Sequence, residues 1–219
     1  MRRHAPPPFA DRAEAGAQLA DRIAALGLRD PVVFALPRGG VPVAAVVAAR
    51  LGAPLDLVLV RKLGAPGQPE LALGAVTNGE AAEMVLNEDI IAASGAGPAF
   101  VAAARAAALA EIARRRAIYL AGRTPPDPRG RAAVVVDDGL ATGATARVAL
   151  RALRRRGAAP LVLAVPVAPP DTLAALAPES DAVICLHQAD IPFGIGAFYA
   201  DFHQLSDAEV VRLLAPPRR

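Results

Sequence analysis

The chain has 219 residues, 54% of them hydrophobic, enough to bury the core of one α/β domain with an accessory piece. The formal charge is a mild +3, aromatics make up 4% and tryptophan is absent, so there is little to stack a nucleic-acid strand on and a polymer-binding surface is not indicated. A single cysteine, Cys185 in the apolar run AVICL, excludes an internal disulfide and a multi-cysteine metal site. The segment MRRHAPPPFADR has basic residues but no apolar signal-peptide core, and no run approaches the roughly 20 apolar residues of a membrane span. A cytoplasmic protein with neither membrane nor nucleic-acid partners is expected.

Residues 12 to 28 predict an amphipathic helix, with Leu19, Ile23 and Leu26 at helical spacing and Gly27 as its stop. Pro31 to Leu36 reads as the first apolar strand. The turn PRGGVP follows, and Val41 to Leu51 resumes a helical pattern with Pro42 tolerated in its first turn. This strand, glycine turn and helix would aim backbone N–H groups at an anion; a plain βα turn with a surface arginine is the alternative. Leu55 to Val60 predicts a further strand delivering Arg61 and Lys62 to its carboxyl end, the edge where open α/β sheets bind ligands. Lys62 is the only lysine in a chain that otherwise uses arginine. A site needing a compact ammonium would leave that pattern, and so would chance. Between Gly64 and Asn87, LALGAV and EMVL predict a β-hairpin across an Asn78-Gly79 turn. Asp89 to Gly122 reads as mostly helical, and Thr124 to Gly130 as a loop.

The stretch from Ala132 to Thr145, AAVVVDDGLATGAT, organises the rest. Ala132 to Val136 has the length and composition of a buried parallel strand. Asp137 and Asp138 stand where that strand leaves the sheet, and a small, hydroxylated turn leads into a helix from Gly143 to Arg156. Helix-terminal N–H groups suit a phosphate, and carboxylates suit sugar hydroxyls or a metal. A P-loop is excluded, because no Gly-Lys-Ser/Thr follows Gly139. Pro160 to Val165 and Ala182 to Leu186 then read as strands around a short helix, Asp171 to Leu176, and this alternation implies a parallel sheet. The tail from His187 to Arg219 gathers Phe193, Phe198, Tyr199, Phe202 and His203 and ends in a helix from Asp207 to Leu214 with Ser206 as its N-cap.

VVVDDGLATGAT resembles the phosphoribosyl-diphosphate (PRPP) binding signature of type I phosphoribosyltransferases: an apolar strand, two acids, two variable positions, then a Thr/Ala-Thr-Gly-x-Thr turn. ALPRGGVPVAA resembles the diphosphate loop of the same family. RKLGAPG with PELALGAV resembles a branch of bacterial proteins known only as predicted phosphoribosyltransferases, over nearly the whole chain. The resemblance implies a doubly wound parallel α/β sheet with a flexible hairpin lid and a small C-terminal hood. It implies one domain over 1–219, with a core of about 12–186, a lid and helical insertion of about 63–130 and a hood of about 187–219. Asp137 and Asp138 would hold the ribose 2′- and 3′-hydroxyls. Ala141, Thr142, Gly143, Ala144 and Thr145 would wrap the 5-phosphate. Pro37, Arg38, Gly39 and Gly40 would bind the diphosphate, with a strained or cis peptide expected beside Arg38. Two departures stand out: Ala141 where many members have threonine, and Gly139 where a larger apolar residue is common.

By the same resemblance, Asp137, Asp138, Arg38 and Lys62 form the catalytic set. Mg²⁺ would arrive with PRPP, with Asp137 and Asp138 as side chains within its reach. The hairpin region, including Glu70, would exclude water from a cation-like transition state, though an exposed loop carboxylate is the simpler reading of Glu70. His187, Phe193 and Tyr199 are the candidates for gripping the acceptor, against the alternative of a local aromatic core. The implied activity is transfer of phosphoribose from PRPP to a nitrogenous acceptor, a nucleobase in salvage, with release of diphosphate. A non-catalytic PRPP sensor on the same fold is the alternative. Members of the family commonly form homodimers.

Overall fold

Buried parallel strands need helices on both faces, because every side chain along them points into a core. The computed structural model, which describes residues 7–77 and 84–215, meets that need by alternating the two element types. The chain runs α1 (Arg12–Ala24), β1 (Val32–Ala35), α2 (Gly40–Leu51) and β2 (Leu55–Leu57), then β3 (Val60–Ala65), β4 (Gln68–Thr77) and β5 (Met84–Leu86). Helices α3 (Glu88–Ser94) and α4 (Pro98–Tyr119) follow, and the chain returns through β6 (Ala133–Val136), α5 (Ala144–Arg155), β7 (Leu161–Ala168), α6 (Pro170–Leu176), β8 (Ala182–Gln188) and α7 (Asp207–Leu214).

Five strands form a parallel sheet in the order β2-β1-β6-β7-β8. Strand periodicity divides the core. Val33, Ala35, Val134 and Val136 face α1 and α2 through Leu19, Ile23, Val43 and Val47. Val32, Phe34, Leu36 and Val135 face α5 through Ala146, Leu150 and Leu153. The strand order reverses between β1 and β6, and the crevice outside their carboxyl ends is the switch point where such sheets bind ligands. Arg123 closes the β2 edge by donating to the Leu55 carbonyl (2.7 Å) and to the Leu214 carbonyl at the end of α7.

The strand expected over Leu55 to Val60 is two pieces. β2 stops at Leu57, and Val60 opens a second, antiparallel sheet in the order β3-β4-β5. Lys62 therefore lies within β3, exposed and opposite Ala75, rather than at a core strand end. The expected pairing of LALGAV with EMVL is present, with Gly74 opposite Leu86 and Val76 opposite Met84. Its Asn78-Gly79 turn lies outside the described residues, as does the Glu70 side chain. The second sheet is rooted in the core: Leu63, Leu73 and Val76 are buried with Val101, Ala108 and Ile112 of α4. A hairpin across Pro66 and Gly67 joins β3 to β4.

The N-terminal segment pairs with the C-terminal tail. The Phe9 N–H donates to the Phe198 carbonyl (3.1 Å), and the Ala200 N–H donates to the Phe9 carbonyl (2.8 Å). Phe9, Ala15 and Tyr199 form a small core with Ile195, Phe198 and Phe202. Helix α7 starts at Ser206 as expected, with a capping box to Glu209.

This tail accounts for Gly139. A Cβ there would lie 2.6 Å from Ile195 Cγ2 and 2.9 Å from Val167 Cγ1, so Ile195 fills from outside the volume that a larger residue at 139 would fill. Gly139→Ala should lower stability by about 1–3 kcal/mol through overpacking, and adding Ile195→Ala should recover much of the loss. Thermal unfolding of the single and double variants checks this; an equal loss in both would remove Ile195 as the cause.

Candidate functional site

The two turns at the switch point are packed back to back. The Leu36 N–H at the end of β1 donates to the Val136 carbonyl (2.9 Å), so both strands leave the sheet at the same level. Beyond β1 the Pro37–Arg38 peptide is cis, at one of the two bonds flanking Arg38. Gly39 and Gly40 then lead into α2. A Cβ on Gly39 would lie 2.1 Å from Asp138 Oδ2, and one on Gly40 would lie 2.7 Å from the Val136 carbonyl oxygen. Each glycine is needed because the acidic turn already fills that space.

On the other side of the crevice, Asp137 and Asp138 lead through Gly139 and Leu140 to the N-terminus of α5. The Leu140 N–H is anchored on the Val167 carbonyl (2.9 Å), and Thr172 Oγ1 donates to the Ala141 carbonyl (2.8 Å). Gly143, at φ 69°, caps the helix in the left-handed region, and a Cβ there would also lie 2.7 Å from Leu176 Cδ1. Thr142 and Ala144 are exposed and Thr145 is half-buried around this helix start. The structure thus brings together Pro37, Arg38, Gly39, Gly40, Asp137 and Asp138, and it sets residues 141–145 at a helix N-terminus next to them.

The two carboxylates differ. Asp137 is half-buried, and its Oδ1 accepts from the Asp138 N–H (2.9 Å). Asp138 is buried, and its Oδ2 accepts from Arg12 Nε at 2.9 Å. Burial first and the Asp138 charge second push the Asp137 carboxyl well above the usual carboxylate range. Burial also raises Asp138, and the Arg12 guanidinium pulls it back. Hydrogen-bond donors or a cation arriving at this pair would favour its charged form.

Arg12 is the residue that sequence reasoning missed. It stands in the first turn of α1 and is only 8% exposed. Its guanidinium lies 3.8 Å from the Phe202 ring centroid, and its Nη1 donates to the His203 carbonyl (3.1 Å). A cation beside the positive end of a helix dipole is unfavourably placed, and that was the available signal of a specific partner. Arg38 is half-exposed, with Nη1 3.8 Å from Asp207 Oδ1 at the start of α7. Tyr119 donates its hydroxyl to the same Asp207 oxygen (2.5 Å); burial and that bond push the tyrosine up to about 12.

The acceptor candidates separate. Tyr199 is 5% exposed, its ring stacked on Phe202 at 5.1 Å and its hydroxyl donating to the Asp138 carbonyl (2.6 Å), so it stands behind the acidic turn. His187 is exposed at the end of β8 with its ring edge-on to Phe9, and Phe193 is 84% exposed. Lys62 belongs to the second sheet. A cavity of about 260 Å³ lies beside Arg12, lined in part by Asp11, His203, Leu205, Glu209 and Arg212.

Comparison with known proteins shows the family and the fold. The family model of the phosphoribosyl transferase domain matches residues 11–203. Two Mycobacterium tuberculosis proteins, from strains CDC 1551 and H37Rv and both provisionally named phosphoribosyl transferase, are each 48% identical over 206 residues. That match covers 94% of this chain and 46% of each relative, so the chain spans about half the length of these curated relatives. The crystal structure of TT1426 from Thermus thermophilus is 42% identical with a TM-score of 0.81, covering 94% of this chain and 97% of its own. A hypothetical protein from Neisseria gonorrhoeae, solved with bound ppGpp, shares the fold at 17% identity and a TM-score of 0.50, covering 86% of each chain. No single described helix is long and apolar enough to cross a membrane.

His203 offers a pH test of the tail. Its ring nitrogens lie 3.0 Å from Asp201 Oδ1 and 3.2 Å from Glu209 Oε1, and these carboxylates raise its pKa above 6.5. A raised folded value means the stabilisation is complete below the unfolded value of about 6.5 and is lost as pH rises through the folded one. Wild-type thermal stability should therefore fall more than that of His203→Gln between about pH 6 and pH 9. Parallel pH profiles would contradict the assignment.

Proposed function

The chain belongs to the phosphoribosyl transferase family, and on that premise we propose that it binds PRPP across the switch point and transfers phosphoribose to a nitrogenous acceptor, releasing diphosphate. The observation that carries this reading is the back-to-back packing of the glycine turn after β1 on the acidic turn after β6. It sets a glycine turn, a pair of carboxylates and a helix N-terminus along one crevice.

Each group then has a task. Arg38 and the Gly39-Gly40 turn meet the diphosphate, the arginine by its forked donors and the turn by close backbone approach. Asp137 and Asp138 accept the ribose hydroxyls, and their charge favours oxocarbenium character at carbon 1 of the sugar. Residues 141–145 receive the 5-phosphate on the N–H groups of α5 and the hydroxyls of Thr142 and Thr145. Because the Asp138 carboxylate and the two packed turns are held in place before ligand arrives, much of the rate enhancement would come from positioning. The donor chemistry fits Mg²⁺ carried by PRPP, since the ion keeps several waters and uses one or two carboxylates plus substrate phosphates, and Asp137 and Asp138 supply those oxygens. When bound, the ion would neutralise charge on the leaving diphosphate. Phe193 and His187, exposed on the C-terminal segment, are the side chains offered to an acceptor.

A second reading, a sensor that binds PRPP without turnover, is favoured by the shared fold with the Neisseria protein solved with ppGpp. Calorimetric titration with PRPP and Mg²⁺, followed by a panel of nucleobases while diphosphate release is monitored, separates the two. Tight binding with release for one base supports the transferase. Tight binding with no release for any base, and displacement of PRPP by ppGpp, supports the sensor. Replacing Asp137 and Asp138 together by Asn should abolish PRPP binding while the fold survives; unchanged affinity would sink the ribose assignment. Arg38→Ala should weaken PRPP far more than ribose 5-phosphate, and equal losses would remove Arg38 from the diphosphate site.

A further inference from the structure

Asp138 sits at a point of conflict if the crevice holds PRPP. One of its carboxylate oxygens lies against Gly39, in the middle of the turn that would receive the most negative part of the ligand. The Asp138 carboxylate thus brings negative charge up behind a diphosphate loop, with the Asp137 carboxyl beside it. Arg12 is the group that answers this. Its Nε donates to Asp138 Oδ2 at 2.9 Å, and the pair is almost fully removed from water, with side chains 9% and 12% exposed. In that environment a unit charge is poorly screened and a like charge nearby is strongly repelled.

Arg12 is itself held from several sides. Phe202 stacks on the guanidinium at 3.8 Å, the His203 carbonyl accepts from Nη1, and Asp11 fixes the start of α1 by accepting from the Glu14 N–H. Tyr199 donates to the Asp138 main-chain carbonyl, so the turn is gripped at backbone and side chain together. The remaining lone pairs of Asp138 stay available to a ribose hydroxyl, since a carboxylate has about four acceptor sites.

We infer, on the reading of the crevice as a PRPP site, that Arg12 is a positioning residue: it clamps the Asp138 carboxylate against Gly39 and cancels the charge which that carboxylate would otherwise set behind the diphosphate loop. It acts through Asp138 and touches no ligand.

Titration with PRPP and, separately, with inorganic diphosphate, each with Mg²⁺, tests this on wild type, Arg12→Met, Arg12→Lys, Asp138→Asn and the Arg12→Met/Asp138→Asn double variant. Arg12→Met should weaken both ligands by about tenfold or more, because it leaves a buried carboxylate unpaired. Arg12→Lys, which keeps the charge but loses the planar stack on Phe202, should fall between wild type and Arg12→Met for diphosphate. The double variant has lost both charges and should bind diphosphate as well as Asp138→Asn alone, the non-additivity expected of residues that act as a pair. A purely structural role would not produce that recovery. The inference is overturned if Arg12→Met binds as wild type does, or if it costs the same factor with and without Asp138. Should Arg12→Met fail to fold, the comparison of the double variant with Asp138→Asn decides: equal diphosphate affinity supports the inference and a further loss overturns it. Wild type that binds diphosphate but not PRPP would bring down the PRPP reading and the inference with it, whereas wild type that binds PRPP with Arg12 indifferent would remove the inference alone.

Discussion

A carboxylate that takes the place of a neighbour's side chain imposes order on everything around it. The oxygens of Asp138 fill the volume a Cβ at position 39 would need, so the turn after β1 must be glycine there and must lie against the turn after β6. A carboxylate in that position is cut off from water and demands a cation with good geometry. Arg12 supplies it, and a guanidinium so deep in the fold in turn demands a flat apolar face and further acceptors, which Phe202 and the His203 carbonyl provide. The first turn of α1, the crevice and the aromatic tail are thus linked by successive requirements of one buried charge.

The sheet explains why this happens where it does. Reversal of strand order between β1 and β6 leaves a crevice at their carboxyl ends that no crossover helix covers. The βα turns on either side must be short and small to fit together, and short turns of glycine ahead of a helix expose N–H groups. Anion affinity is in this sense a by-product of the topology, which the acids then narrow to a ligand with both phosphates and hydroxyls. The contact of Arg38 with Asp207, itself bonded to Tyr119, extends the support to α4 and α7 on the far side.

Much of this is legible in the sequence because it is written locally. The apolar run before Asp137, the small residues around Gly143, the paired glycines after Arg38 and the Ser206 cap each declare a strand end, a turn or a helix start within a few residues. What is not legible depends on distance along the chain. Nothing near Arg12 reveals that its partner is Asp138, and nothing near Gly139 reveals that Ile195 fills its space. Leu55 to Val60 reads as one apolar run, which puts Lys62 at a core strand end; only the pairing of Val60 with Thr77 breaks that run into two strands of different sheets. Tyr199 reads as a ring for an acceptor, because an aromatic's composition does not say which of its faces is covered. Its position between Phe9 and Phe202 does.

The separation of Arg12 from its partners bears on the order in which the molecule comes into being. Asp138 lies 126 positions later in the chain, and the His203 carbonyl 191 positions later. During synthesis α1 emerges before both partners, carrying a cation that lacks Asp138 until β6 has been made and is not sealed until the aromatic tail arrives. Contacts of such long range close late, since the entropy of the intervening loop must be overcome before they return any stabilisation. The central sheet can therefore gather around β1 and β6 while the crevice stays wet and its acids unpaired. Ligand competence would then wait on the closure of α1 against the aromatic tail at Phe202 and His203.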